Sequence, residues 1–316
     1  MSFEIKLRGR IGAGLQDLVR EEMARTLQLL GAAKPASEIE TIHETRKQVK
    51  KLRAILMLLR EPLGKKRYQE EEAILRKIGQ QLGPKRDAEV LLKTLQHLQH
   101  RFFPERPSPV IRTLRDAFLA RERRCLTQLV RSNGIAAISA DLQEMLIRLP
   151  DWPVADYGWK DMRRAVRRSY ERARASYRKA RDTPSAPRLH RWRKRVKDLW
   201  FHLRLLRRAC PARMEELAQD FEVLGEFLGD DHDLSLLKSA LEERRATHSQ
   251  RAAMETLFEL IDLRREELLD PAFDLGARLH EESAAEFVRE IHEQRATHHE
   301  RLRKAKKLGE KLAASE

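Results

Sequence analysis

The chain has 316 residues and carries 64 Lys and Arg against 49 Asp and Glu, a net charge of +15 with a pI near 10. That length allows two domains of ordinary size, and that charge favours a polyanionic partner such as nucleic acid, polyphosphate or a membrane surface. Only 6% of residues are aromatic, no run of alternating β-branched residues occurs, and apolar residues recur at helical spacing, which excludes a β fold and a disordered chain.

Residues Gly14–Leu30 read as a first amphipathic helix, ended by Gly31 and the segment around Pro35. Ser37 and Glu40 make a capping box for the next helix, whose main stretch is Ile42–Arg60. At 100° per residue, Val49, Leu52, Ile55, Leu56 and Leu59 form a stripe that must be buried. His43, Arg46, Lys47, Lys50 and Lys51 form the opposite, basic face, with Arg53 at its edge. Like charges at this spacing repel by a few tenths of a kcal/mol per pair, roughly, so an anion is expected from elsewhere. Pro62-Leu63-Gly64 stops this helix; a third covers Tyr68–Leu82 and breaks at Gly83-Pro84, and a fourth runs from Asp87, its N-cap, to His100.

Phe102–Pro109 is a proline-rich link, followed by helices over Pro109–Arg131 and Ile135–Leu149. The segment from Pro150 to Gly158 is the best domain boundary, dividing 1–150 from 151–316. Beyond it come a helix over Trp159–Arg181, a second basic helix over Leu189–Arg207, a break at Cys210-Pro211, and helices over Arg213–Leu228 and Asp233–Thr247. Long helices follow to the end, with Pro271 as their clearest break and a basic tail over Arg301–Lys311.

The second half repeats the first. His190, Arg193, Lys194 and Lys197 stand 147 residues after His43, Arg46, Lys47 and Lys50, and the match extends back to pair Arg20 with Arg167 and Arg25 with Arg172. Leu82-Gly83-Pro84-Lys85-Arg86-Asp87 aligns with Leu228-Gly229-Asp230-Asp231-His232-Asp233 at an offset of 146. A repeat of this length means two similar structural halves, each with one basic helix.

Arg offers forked hydrogen bonds to phosphate oxygens and Lys compact charge, and a neighbouring polyanion would raise the pKa of each histidine. Duplex DNA would require an exposed recognition helix, and single strands would require stacking aromatics; neither is evident. Asp231-His232-Asp233 superficially resembles the His-Asp pair of metal-dependent phosphohydrolases, but the aligned segment of the first half puts Arg86 where His232 stands. No Walker loop or nucleophile elbow occurs, and no cofactor is expected. Two distant cysteines, Cys125 and Cys210, suggest a reduced intracellular chain. No apolar leader opens the sequence and the longest apolar run, Ala54–Leu59, is too short to span a bilayer, so a cytoplasmic location is expected.

The motifs His43-x-x-Arg46-Lys47-x-x-Lys50-Lys51-x-Arg53, Leu82-Gly83-x-x-Arg86-Asp87 and His190-x-x-Arg193-Lys194-x-x-Lys197-Asp198-Leu199 give the chain a resemblance, over nearly its whole length, to the CHAD family of histidine α-helical domains. The resemblance implies an all-α fold of two tandem four-helix bundles related by a pseudo-twofold, with the basic helices facing a central groove or pore. It also implies non-catalytic binding of inorganic polyphosphate, and an association with polyphosphate or polyhydroxyalkanoate granules. His43, Arg46, Lys47, Lys50, Lys51, Arg53, His190, Arg193, Lys194 and Lys197 would line the groove, with Arg20, Arg25, Arg167, Arg172 and Arg204 behind them. Asp198 and Trp200 replace the Lys51 and Arg53 of the first half, so the second stripe should bind less strongly. Glu4-Ile5-Lys6 does not make the alternating glutamates of triphosphate-tunnel enzymes, so binding without hydrolysis is expected. A nucleic-acid-binding helical protein is the first alternative, and a metal-dependent phosphohydrolase the second.

Overall fold

In a computed structural model the described residues are 4–5, 10–32, 38–104, 108–208, 211–244 and 250–313. Among them are eleven α-helices, one short 3-10 turn and no strand: α1 (Ile11–Gly31), α2 (Glu38–Leu58), α3 (Arg60–Gln81), α4 (Gly83–Phe102), α5 (Pro109–Arg131), α6 (Gly134–Arg148), α7 (Trp159–Asp182), α8 (Ala186–Leu206), α9 (Pro211–Glu242), α10 (Arg251–Leu279) and α11 (Ala284–Ala313). The all-α reading holds. No helix among the described residues is long and apolar enough to cross a membrane.

Each basic helix is fixed by the apolar stripe on its other side. Val49, Leu52, Ile55, Leu56 and Leu59 are buried, as are Leu189, Trp192, Val196 and Leu199 on α8. Burying such a side chain contributes about 1.5–3 kcal/mol. Gly64 separates the end of α2 from the body of α3 by adopting φ 71°, a left-handed conformation that a side chain would resist. The two basic helices meet where His202 Nε2 donates to Ala54 O at 2.9 Å. At the 147-residue offset His202 is the counterpart of Ile55, so they meet at equivalent places in the repeat.

The apolar core crosses the boundary at residue 150. One cluster joins α1–α3 and α6 to α7, α8 and α11; a second is shared by α4 and α5 with the later part of α9 and much of α10. The segment between the halves is itself packed in: Tyr157 Oη donates to Leu58 O at 3.1 Å, and Gly12 N donates to Tyr157 O at 3.1 Å.

Several boundaries differ from the sequence reading. Asp87 does not cap α4, because Pro84 occupies the first turn and the helix starts at Gly83. No helix starts at Asp233: α9 runs unbroken from Pro211 to Glu242, since Asp230 stands where the first half has Pro84 and leaves the backbone N–H in place. Pro271 lies inside α10 and does not end it. Ser37 and Cys210 fall outside the described residues.

The aligned residues Lys85 and Asp231 reveal a reversal between the halves. Lys85, 2% exposed, pairs with Glu122 of α5 at 2.5 Å, while Asp231, 1% exposed, pairs with Arg265 of α10 at 2.8 Å. The same packing position is therefore held by an ion pair of opposite polarity.

Candidate functional site

From their meeting point at Ala54 and His202, α2 and α8 form the walls of a cavity of about 630 Å³. All ten residues of the two motifs line it: His43, Arg46, Lys47, Lys50, Lys51 and Arg53 from α2, with His190, Arg193, Lys194 and Lys197 from α8. Of the second group, Arg172 and Arg204 also line it, whereas Arg20, Arg25 and Arg167 do not. Those three are held by acids of their own helices: Arg20 by Asp17 at 2.5 Å, Arg25 by Glu22 at 3.6 Å and Arg167 by Glu171 at 2.9 Å.

Sequence reasoning missed part of the wall. Arg60 continues the α2 stripe at helical spacing after Arg46, Lys50, Arg53 and Met57, and could have been found that way. Arg86 stands in the Leu82-Gly83 motif. Arg195, Tyr68, Glu72 and Phe201 give no such signal, because only the packing of α3 and α8 brings them in. In total the wall carries thirteen Lys and Arg side chains and two carboxylates, Glu72 and Asp198.

Both carboxylates are taken. Glu72 accepts from Arg53 at 2.6 Å and Asp198 from Arg195 at 3.1 Å. Lys51 lines the cavity but is only 7% exposed, and pairs with Glu22 of α1 at 3.3 Å. Its charge is therefore already answered within the fold by Glu22. Lys47 pairs with Glu44 at 3.5 Å on the surface, where such a pair contributes little.

The cations deeper in the cavity have fewer partners. Lys50 makes no hydrogen bond or ion pair with any described residue, and desolvation together with Arg193, Arg46, Arg86 and Lys197 lowers its pKa to about 8. Burial and like charge likewise hold Arg46, Arg193 and Lys197 below their ordinary values. Nε of Arg193 and one terminal nitrogen of Arg86 are buried with no acceptor among the described residues. Lys197 is steadied from the side, with its ammonium 4.6 Å from the centre of the Trp200 ring; Arg204 lies over the same ring at 4.7 Å.

Glycines on α9 make room for these groups. A Cβ at Gly225 would stand 2.8 Å from Lys197 Cε, and one at Gly229 would stand 3.5 Å from Arg193 Nε. His190 packs against His232 with ring centres 4.3 Å apart. Burial and then Arg193 push His232 down to about 3, and burial with Arg193 and Lys194 lowers His190, so both rings are neutral near pH 7 without a ligand. The expected imidazolium therefore requires an anion to arrive. Asp231 is committed to Arg265, and Asp233 lies 4.0 Å from Arg86.

No curated protein matches the chain. Among solved structures it is similar to the crystal structure of the CHAD domain from the plant Ricinus communis, at 16% identity and a TM-score of 0.58, over 89% of this chain and 95% of that one. That likeness concerns the fold. The CHAD domain family matches residues 18–242, which carry both basic helices and all ten motif residues, and the chain belongs to that family.

Proposed function

We propose that the protein binds inorganic polyphosphate in the cavity between α2 and α8 and holds it without cleaving it. The observation that carries this reading is the charge of the wall: thirteen cations, two acids already paired, and buried Arg86 and Arg193 N–H groups without acceptors among the described residues. A chain of closely spaced phosphates supplies acceptors and relieves the repulsion among the cations at once. Nucleic acid would satisfy the charge too, but it also needs aromatic faces for its bases. Trp200, the largest ring of the wall, is 8% exposed and already carries Lys197 and Arg204. The two sequence halves, 1–150 and 151–316, each supply one wall of the site in this reading.

Titration with long-chain polyphosphate tests it. Six contacts, from Arg46, Lys50, Arg86, Arg193, Lys194 and Lys197, give a slope of log K against log salt of about −4, taking roughly −0.7 per neutralised phosphate as for a flexible single strand. Saturating polyphosphate should also raise Tm, because a ligand held only by the folded state stabilises it. No binding at moderate salt beside normal binding to RNA would replace the reading with a nucleic-acid module. Phosphate release from polyphosphate on adding Mg²⁺ or Mn²⁺ would replace it with a phosphohydrolase.

A further inference from the structure

We propose that Lys50 is an acylation site for small acyl phosphates, whose phosphoryl group the cavity holds while the Lys50 amine attacks the acyl carbon. The inference rests on the reading of the cavity as a phosphate site. Three features single out this lysine. It lines the cavity and is exposed to it, so a small molecule can reach Nζ. It has no ion pair with any described residue, whereas Lys47 pairs with Glu44, Lys51 with Glu22, and Lys197 lies over Trp200. Lys194 is also unpaired among the described residues, but the carboxylates Asp198 and Glu72 favour its charged form, and Lys50 has no such support. Its charged surroundings come from every adjoining element: Arg46 on its own helix, Arg86 on α4, Arg193 and Lys197 on α8, and Asp233 of α9, which is taken up by Arg86 at 4.0 Å.

These features combine two requirements that oppose each other on an ordinary surface. An amine must be unprotonated to attack, and an anionic electrophile needs positive charge to be held. Here the cations that repel a proton from Lys50 are also the groups that bind phosphate. With its pKa lowered to about 8, half of Lys50 is free amine at pH 8, against about 0.4% for an ordinary lysine at about 10.4. In the step, the Nζ lone pair forms a bond to the acyl carbon, the bond from that carbon to the phosphate oxygen breaks, and phosphate leaves with the electron pair. The proton lost by nitrogen passes to the departing phosphate, so amine and acyl phosphate give amide and hydrogen phosphate with nothing left over. The product removes the central charge of the cluster, so acylation should weaken polyphosphate binding.

The test is a time course of the whole protein with acetyl phosphate at pH 8, read by peptide mass mapping. Lys50 should be acetylated at least tenfold faster than the exposed Lys65, Lys66 and Lys160, inorganic tripolyphosphate should suppress it, and the preference should shrink with a phosphate-free acetylating ester. Lys50→Gln, which mimics the amide, should lower polyphosphate affinity about tenfold. Acetylation of Lys50 no faster than the surface lysines overturns the inference. If polyphosphate still binds the same preparation, only this inference falls; if it does not, the reading of the cavity falls as well. Fast reaction without protection by tripolyphosphate overturns the phosphate-guided step.

Discussion

Replacing Lys50 by Met should make the unliganded protein more stable while weakening its hold on polyphosphate. Lys50 is charged at pH 7 in folded and unfolded chains alike, but only the fold sets it beside Arg46, Arg86, Arg193 and Lys197. A pKa lowered from 10.5 to about 8 corresponds to about 3 kcal/mol, at 1.36 kcal/mol per unit. Because the ammonium opens to solvent, screening reduces this to about 1 kcal/mol. For a chain of this size that is a rise in Tm of about 2 °C. The sign with pH follows from the lowered folded value. Below pH 8 both states are protonated and the full penalty is present. Between pH 8 and 10.5 the unfolded chain binds the extra proton, so the wild type gains stability on the variant, and above 10.5 the difference is gone. Thermal melts of both proteins from pH 6 to 11, with polyphosphate titrations at pH 7, check this. A lower Tm for Lys50→Met at pH 7, or a difference that does not change up to pH 11, would show that the cations of the cavity do not strain the fold.

Other substitutions probe the frame around the cavity. Lys85→Met should cost about 3 kcal/mol by leaving Glu122 beside a buried site without its cation, and Lys85→Met/Glu122→Met should recover most of that in denaturant melts. Gly225→Ala should displace Lys197 and weaken polyphosphate binding several-fold in a titration, while Tm holds or rises, because Ala is favoured over Gly by about 1 kcal/mol inside a helix. Gly12→Ala should lower Tm sharply without a direct effect on the cavity: its Cβ would come within 1.8 Å of Val154 O, a backbone atom that cannot turn aside, at a cost of about 1–3 kcal/mol or more.

How much of this was legible in the sequence depended on whether the deciding force was local. Helical periodicity alone placed Val49, Leu52 and Ile55 inside and His43, Arg46 and Lys50 on the opposite face, and the 147-residue offset did the same for α8. Gly64 and Pro84 announced their turns through their own backbone chemistry. What could not be read was set by partners distant in sequence. Lys51 looks like any other member of the basic row until Glu22, 29 residues away, meets it in the interior. Arg25 and Arg172 are equivalent in the repeat, but Glu22 holds the first while the second reaches the cavity. The unbroken α9 was hidden because a glycine reads as a break, although without a following proline it costs a helix only about 1 kcal/mol, which packing easily exceeds.

The two halves have diverged in a pattern that itself bears on the ligand. An ion pair internal to the chain depends only on the product of its charges, so both members can reverse without loss. That has happened at Lys85–Glu122 and Asp231–Arg265, and the residue equivalent to Lys51, which pairs with Glu22, has become Asp198 paired with Arg195. At the positions of Arg46, Lys47 and Lys50 the sign has not changed: Arg193, Lys194 and Lys197 stand there. A group that answers to something outside the chain cannot reverse unless that partner reverses with it. At these three interior positions polarity has changed between the halves; at Arg46 and Lys50, which line the cavity with no carboxylate of a described residue in ion-pair contact, it is held positive on both sides. That difference follows if the missing counter-charge is an external anion touching both helices, and it has no equivalent reason if the cations are merely a solvated surface.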